Sequence, residues 1–169
     1  MSGHGPAGES HAIHPIGVLC TPHMRADETP IHPVFAEGVQ GRAEILPEFA
    51  DGLRDLEGFS HIWLLYWLHQ AGPARLIVQP FLQDAEHGVF ATRAPTRPNP
   101  LGLSLVRLVG REGCVLHLED VDVLDGTPLL DIKPYVPRFD CRTDVRTGWL
   151  EAVDEQSARA RGRRQPPTH

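Results

Sequence analysis

The sequence predicts a mainly β chain whose antiparallel sheet closes, or nearly closes, into a barrel with a few helices on its outside. Three observations lead there. Short apolar runs of strand length recur along the chain, punctuated by proline and glycine. Two of them, LSLVRLVGREG and CVLHLEDVDVLDG, alternate apolar and polar residues on either side of an Arg-Glu-Gly turn, which is a hairpin pattern. A sheet with this many strands would leave associating edges, and closure removes them. At 169 residues, 41% hydrophobic and 22% charged, the chain has the make-up of one domain with its own core.

The elements follow in order. Residues 1–12 are polar and Gly-rich and read as a disordered leader. IHPIGVLCTP is a first strand closed by proline, and the Pro-punctuated HMRADETPIHPVF is a long loop of the kind that often carries function. GRAEILPEF supplies a second strand. EFADGLRDLEG spaces Phe49, Leu53 and Leu56 four and three apart, the stripe of a short amphipathic helix ended by glycine. SHIWLLYWLHQ is almost wholly apolar but too short to span a membrane, so it reads as a strand buried on both faces or at a dimer seam. ARLIVQPFL and HGVFATRAP continue the strand series, the hairpin follows, and TPLLDIKPYVP is the last strand. The barrel domain is expected over 13–140. Residues 141–169 form a helix-prone segment, DVRTGWLEAVDEQSARAR, and a basic tail whose Arg159, Arg161, Arg163 and Arg164 read as a solvated end.

Composition excludes several classes. A net charge of −6 argues against binding DNA or any nucleic acid by bulk electrostatics, so RNA would have to meet a local patch. Cys20, Cys114 and Cys141 are far apart and odd in number, which indicates free thiols. The early histidines His4, His11, His14, His23 and His32 lack the spacing of a metal site, so no metal is expected. No membrane-length apolar run or secretory start is present, and a cytoplasmic protein is expected.

Two segments concentrate chemistry. In GVFATRAPTRPNPLGLS, Pro95, Pro98 and Pro100 prevent a ladder and push Ala94, Arg97 and Asn99 toward extended geometry. The result is a stiff arm presenting Arg93, Arg97 and Asn99, groups suited to carboxylate or phosphate oxygens; a surface turn whose arginines pair with nearby acids is the alternative. In DVDVLDGTPLLDIKPY, Asp120, Asp122, Asp125 and Asp131 gather around Lys133 and Tyr135. Such a charge cluster suits a functional site, or simply a turn built on Asp125 and Gly126.

These two segments, with FSHIWLLYWLHQ upstream, make the chain resemble the TsaA-like (TrmO) family of S-adenosylmethionine-dependent tRNA methyltransferases, from about Ile13 to Pro137. The resemblance implies a single-sheeted β-barrel, a homodimer, and S-adenosylmethionine bound close to the subunit interface. The absence of a G-x-G-x-x-G turn agrees with a fold unlike the Rossmann-type enzymes. By similarity the cofactor contacts are His32, Pro33 and Val34, then His69 and Gln70, then Arg93 and Leu103, and finally Val121, Asp122, Val123 and Leu124.

The family's acceptor is N6 of threonylcarbamoyl-adenosine beside the anticodon of tRNA. That nitrogen is a poor nucleophile until its proton is removed, so an acceptor group should help. Asp131, Lys133 and Tyr135 are the candidates for that acceptor and for binding the threonyl carboxylate, with Arg97 and Asn99 positioning the substrate; an ion pair that merely pins the strand is the other reading of Asp131 and Lys133. Fold and cofactor do not by themselves fix the acceptor. A methyltransferase acting on a small molecule, or a non-catalytic module that senses the cofactor, stays open.

Overall fold

The computed structural model describes residues 10–164. Six strands close into a barrel: β1 (Gly17–Cys20), β2 (Gln40–Ile45), β3 (His61–Trp67), β6 (Leu101–Glu112), β7 (Val115–Glu119) and β8 (Thr127–Pro134). Their order around the barrel is β1-β2-β7-β6-β3-β8, every neighbouring pair is antiparallel, and β8 closes on β1 through Gly17 opposite Leu129. The interior is filled by alternate residues of each strand, among them Leu19, Ile62, Leu64, Val106, Leu116 and Leu129, all shielded from solvent. The expected hairpin is the β6–β7 pair, turning through Gly113 at φ 60°. The leader falls mostly outside the described residues; positions 10–12 have no regular structure.

The barrel corrects one of the two readings of HIWLLYW, the strand buried on both faces. A single curved sheet has one core face, so β3 alternates: Ile62, Leu64 and Tyr66 point inward, His61, Trp63 and Leu65 are half-buried, and Trp67 is exposed. The amphipathic segment near 47–58 is helical but not an α-helix. Two 3-10 pieces, Pro47–Leu53 and Leu56–Gly58, are separated by Asp55 at φ 66°, which an α-helix cannot accommodate. The strand series through ARLIVQPFL and HGVFATRAP shrinks to a separate ribbon of two-residue strands, β4 (Ile77–Val78) and β5 (His87–Gly88). Prolines on either side, Pro73 and Pro80, limit the laddering of the first run.

The C-terminal segment also departs from expectation. A short α1 (Pro137–Asp140) and a 3-10 turn, Gly148–Ala152, precede α2 (Glu155–Gly162), whose first turn is capped by Asp154 accepting from the Ser157 N–H at 2.8 Å. Two of the arginines, Arg161 and Arg164, are docked on distant segments rather than solvated. Arg159 pairs with Glu155 and Arg161 with Asp84, each at 2.9 Å, and Arg164 lies over the Phe81 ring and donates to the Ala26 carbonyl. The Ile31 N–H bonds the Gly162 carbonyl at 3.0 Å, fastening α2 to the long early loop. Residues 165–169 of the basic tail lie outside the described residues.

Candidate functional site

The site grows from two polar residues on inward-facing positions. Tyr66, near the end of β3, and Ser104, on β6, share the parity of their strands' core residues, so both point into one end of the barrel. The Tyr66 hydroxyl is 2.9 Å from Ser104 Oγ, which donates to Asp122 Oδ1 at 2.6 Å. Gly102 makes room for the ring: a Cβ there would fall 2.0 Å from the Tyr66 ring.

Asp122 is delivered by a loop with no ladder of its own. Asp120, at φ 65°, ends β7 and accepts from the Gly38 N–H at 2.8 Å. Val121 and Val123 are then buried on either side of Asp122. The chain is laced to the turn after β1: His23 Nε2 donates to the Val121 carbonyl at 2.8 Å and Thr21 Oγ1 to that of Val123 at 2.7 Å. Asp125 accepts from the Thr21 N–H at 2.9 Å, and Gly126, at φ 73°, makes the turn into β8. Thr127 Oγ1 donates to the Leu124 carbonyl at 2.6 Å and lies 3.4 Å from His69 Nδ1, which brings the residues after β3 to the same end.

Electrostatics single out this end. Burial pushes the Asp122 carboxyl up to about 7, only partly offset by the Ser104 hydrogen bond, a local backbone N–H and the Arg93 charge. Burial, and then the Asp122 charge, hold the Tyr66 hydroxyl well above its ordinary value. His32 is pushed down by burial and by Arg93. One exposed guanidinium thus acts on three groups from three segments, His32, Tyr66 and Asp122, which puts Arg93 at their end of the barrel.

The residues singled out in the sequence divide accordingly. His32, which caps the 3-10 turn Pro33–Phe35 by accepting from the Val34 N–H at 3.3 Å, together with His69, Arg93 and Val121 to Leu124, comes to the pocket end. Pro33 is buried beneath that turn, while Val34 and Gln70 are exposed. Leu103 points to the outer face of β6, opposite Leu65, and is 46% exposed. Arg97 is engaged within its own arm: Nη1 donates to the carbonyls of Thr92 at 2.8 Å, Val89 at 3.2 Å and Ala94 at 3.3 Å. The Asn99 side chain is exposed.

Asp131, Lys133 and Tyr135 do not join the pocket. Asp131 is four residues along β8 from Thr127, roughly 13 Å at about 3.3 Å per residue. There it forms an ion pair with Lys133 at 2.8 Å and lines a separate cleft of 520 Å³ with Ile16, Ile45, Phe49 and Phe59, while Tyr135 packs edge-on against Trp63. Sequence reasoning passed over Tyr66, Ser104, Thr21 and His23. The available signal was Ser104 itself, a polar residue at a core parity of β6.

A closed antiparallel barrel whose end loops bring together a half-buried acid, an arginine and two histidines belongs to the class of small single-sheeted barrels with a polar cluster at one end. Within that class, residues 18–141 match the model of the tRNA-methyltransferase O N-terminal domain. The chain belongs to this family. It is 52% identical over 147 residues to the "Probable S-adenosyl-L-methionine-binding protein" of Pyrococcus abyssi, covering 87% of this chain and 80% of that one. The tRNA (adenine(37)-N6)-methyltransferase of Escherichia coli is 36% identical over 148 residues, covering 82% of this chain and 63% of that protein. The crystal structure of TrmO from Pseudomonas aeruginosa superposes with a TM-score of 0.72 at 42% identity, over 86% of this chain and 63% of that one. The chain therefore spans under two thirds of the Escherichia coli and Pseudomonas proteins.

Proposed function

We propose that this chain binds S-adenosylmethionine at the Asp122 end of the barrel and transfers its methyl group to an adenine of tRNA, at N6 of threonylcarbamoyl-adenosine beside the anticodon. The observation that carries the reading is the hydrogen-bonded Tyr66–Ser104–Asp122 chain, its first two members buried, with the Arg93 charge acting on Asp122, in a chain that belongs to the tRNA-methyltransferase O N-terminal domain family. The names of relatives point the same way: the Pyrococcus protein is named for S-adenosylmethionine binding and the Escherichia coli one for adenine N6 methylation of tRNA.

The donors and acceptors fit the cofactor. It presents a carboxylate, an ammonium and ribose hydroxyls, and when bound it supplies an electrophilic methyl on a cationic sulfonium. Arg93 is the one charged donor that acts on Asp122, and it suits the carboxylate. Asp122, already accepting from Ser104, keeps a second oxygen for the ammonium or a hydroxyl. A cation beside Asp122 favours its ionised form, so binding would release a proton as the carboxyl titrates below about 7. The carbonyls of Val121, Val123 and Leu124 already accept from His23, Thr21 and Thr127, which leaves their second lone pairs and the apolar side chains to meet adenine.

Arg97 contributes by bracing the arm that holds Arg93, and exposed Asn99 is free to meet substrate. For Asp131, Lys133 and Tyr135 to accept the substrate proton, they must reach the pocket of a second copy. A homodimer seated on the outer face of β3 and β6 would arrange this. That face aligns Trp63, Leu65 and Trp67 with Leu101, Leu103 and Leu105, and Trp67, Leu101 and Leu103 remain 39%, 40% and 46% exposed. The same seat would bring outward-facing Leu103 to a cofactor at the interface. No helix among the described residues is long and apolar enough to cross a membrane, and a cytoplasmic enzyme is the setting this reading requires.

The test is direct. Purified chain with labelled S-adenosylmethionine and tRNA containing threonylcarbamoyl-adenosine should yield the N6-methylated nucleoside by mass spectrometry, and tRNA lacking the modification should not. Methylation of neither, with the cofactor bound, would overturn the tRNA reading and leave a small-molecule methyltransferase or a cofactor-sensing module.

A further inference from the structure

We propose that the Phe90 ring, with the Arg97 guanidinium beside it, is a stacking platform for an unpaired base of the RNA substrate. The inference rests on the tRNA reading above and adds a subsite to it. Phe90 is 75% exposed, more than any other aromatic among the described residues. It is nevertheless not on a loose loop. Val89 before it is fully buried and its N–H bonds the Leu76 carbonyl at 2.9 Å, while its own carbonyl accepts from the Thr92 N–H, Thr92 Oγ1 and Arg97 Nη1. Ala91 after it accepts from Trp149 Nε1 at 2.8 Å, and Trp149 is stacked on His87 with ring centroids 4.7 Å apart. Both neighbours of Phe90 are therefore fastened from several directions, and the ring between them is held out to solvent.

A rigid, solvent-facing aromatic is what a splayed base requires, because little freedom is lost on stacking. Arg97 Cζ lies over the Phe90 ring, 5.9 Å from its centroid, so the guanidinium backs one face and a base would stack on the other. Position relates the platform to the pocket: Phe90 is on the same arm as Arg93, whose charge reaches Asp122 and Tyr66. Stacking also answers a difficulty of charge. A chain of net charge −6 cannot hold RNA by a broad cationic surface, whereas base stacking gives affinity without one.

The experiment uses the full chain and an anticodon stem-loop RNA carrying threonylcarbamoyl-adenosine, with fluorescence anisotropy reading RNA affinity. Phe90→Ala and Phe90→Leu should weaken RNA binding by roughly 5- to 150-fold, the value of one stacked base, and Phe90→Trp should bind at least as well as the parent. Cofactor affinity by calorimetry and oligomeric state by sedimentation should be unchanged in all three. Unchanged RNA affinity in Phe90→Ala, or full rescue by leucine, overturns the platform while leaving the tRNA reading intact. Loss of cofactor affinity or of an oligomer overturns it as well, assigning the ring to the cofactor or to a second copy. A parent chain that binds no RNA fails both readings.

Discussion

The two ends of β8 carry charged clusters that look alike in sequence and differ in every physical respect. At the Thr127 end, Asp122 is half-buried, hydrogen-bonded to Ser104 and within reach of the Arg93 charge, and burial pushes it up to about 7. At the other end, the Asp131 carboxylate pairs with Lys133 in the open, with side chains 45% and 63% exposed. Water screens the Asp131–Lys133 pair far more than it does Asp122. A cluster of charges has its chemistry shifted when the fold withholds solvent from it, not when the residues merely gather.

The largest expected consequence separates the two ends by pH. An acid whose folded value lies above its unfolded value of 3.8 stabilises the fold below about pH 4, and that contribution is lost as pH rises to about 7. Over this window the parent chain should lose about 4 kcal/mol relative to Asp122→Asn, measured by urea denaturation of both proteins at each pH. Asp131→Asn should show no such divergence. Parallel stability curves for parent and Asp122→Asn would mean that Asp122 is solvated and the comparison breaks.

Next in size is Arg93→Ala, which removes the charged donor at the pocket mouth. It should weaken S-adenosylmethionine binding by about 1.5–3 kcal/mol, roughly 10- to 150-fold by calorimetry, with little change in melting temperature. Gly102→Ala drives a methyl group into the Tyr66 ring and should cost about 1–3 kcal/mol of stability together with cofactor affinity. The smallest effect belongs to the exposed pair: Lys133→Ala should change stability by about 0–1 kcal/mol. If the pair serves a second copy's pocket, its loss should appear in turnover while cofactor affinity is unchanged, which sharpens the comparison by giving the far end a role of its own.

Much of the fold was legible because alternation and breakers are local. The β6–β7 hairpin, the turn at Gly126 and the first and last strands follow from period-two patterns and from proline and glycine. What failed did so where local pattern competes with closure. HIWLLYW is apolar at nearly every position, yet a barrel offers one interior, so Trp63, Leu65 and Trp67 were left to the outer face. LIV is apolar and HGVF carries an apolar pair, but only a two-rung ribbon was available to them. The arginine-rich tail is polar in sequence and found partners in Asp84, Phe81 and Ala26, all more than seventy residues away.

The same division runs through the site. Sequence alone determined the stiffness of the proline arm, the turn before β8 and the kinship that pointed to His32, His69, Arg93 and Val121 to Leu124, since backbone restriction and motif order reside in the chain itself. Only the tertiary structure decided that Asp122, and not Asp131, is the acid withdrawn from water, that Tyr66 and Ser104 stand behind it, and that Arg97 braces its own arm. Solvent exclusion and hydrogen-bond partnership depend on segments far apart in the chain, and no local pattern records which of several aspartates the barrel will close around.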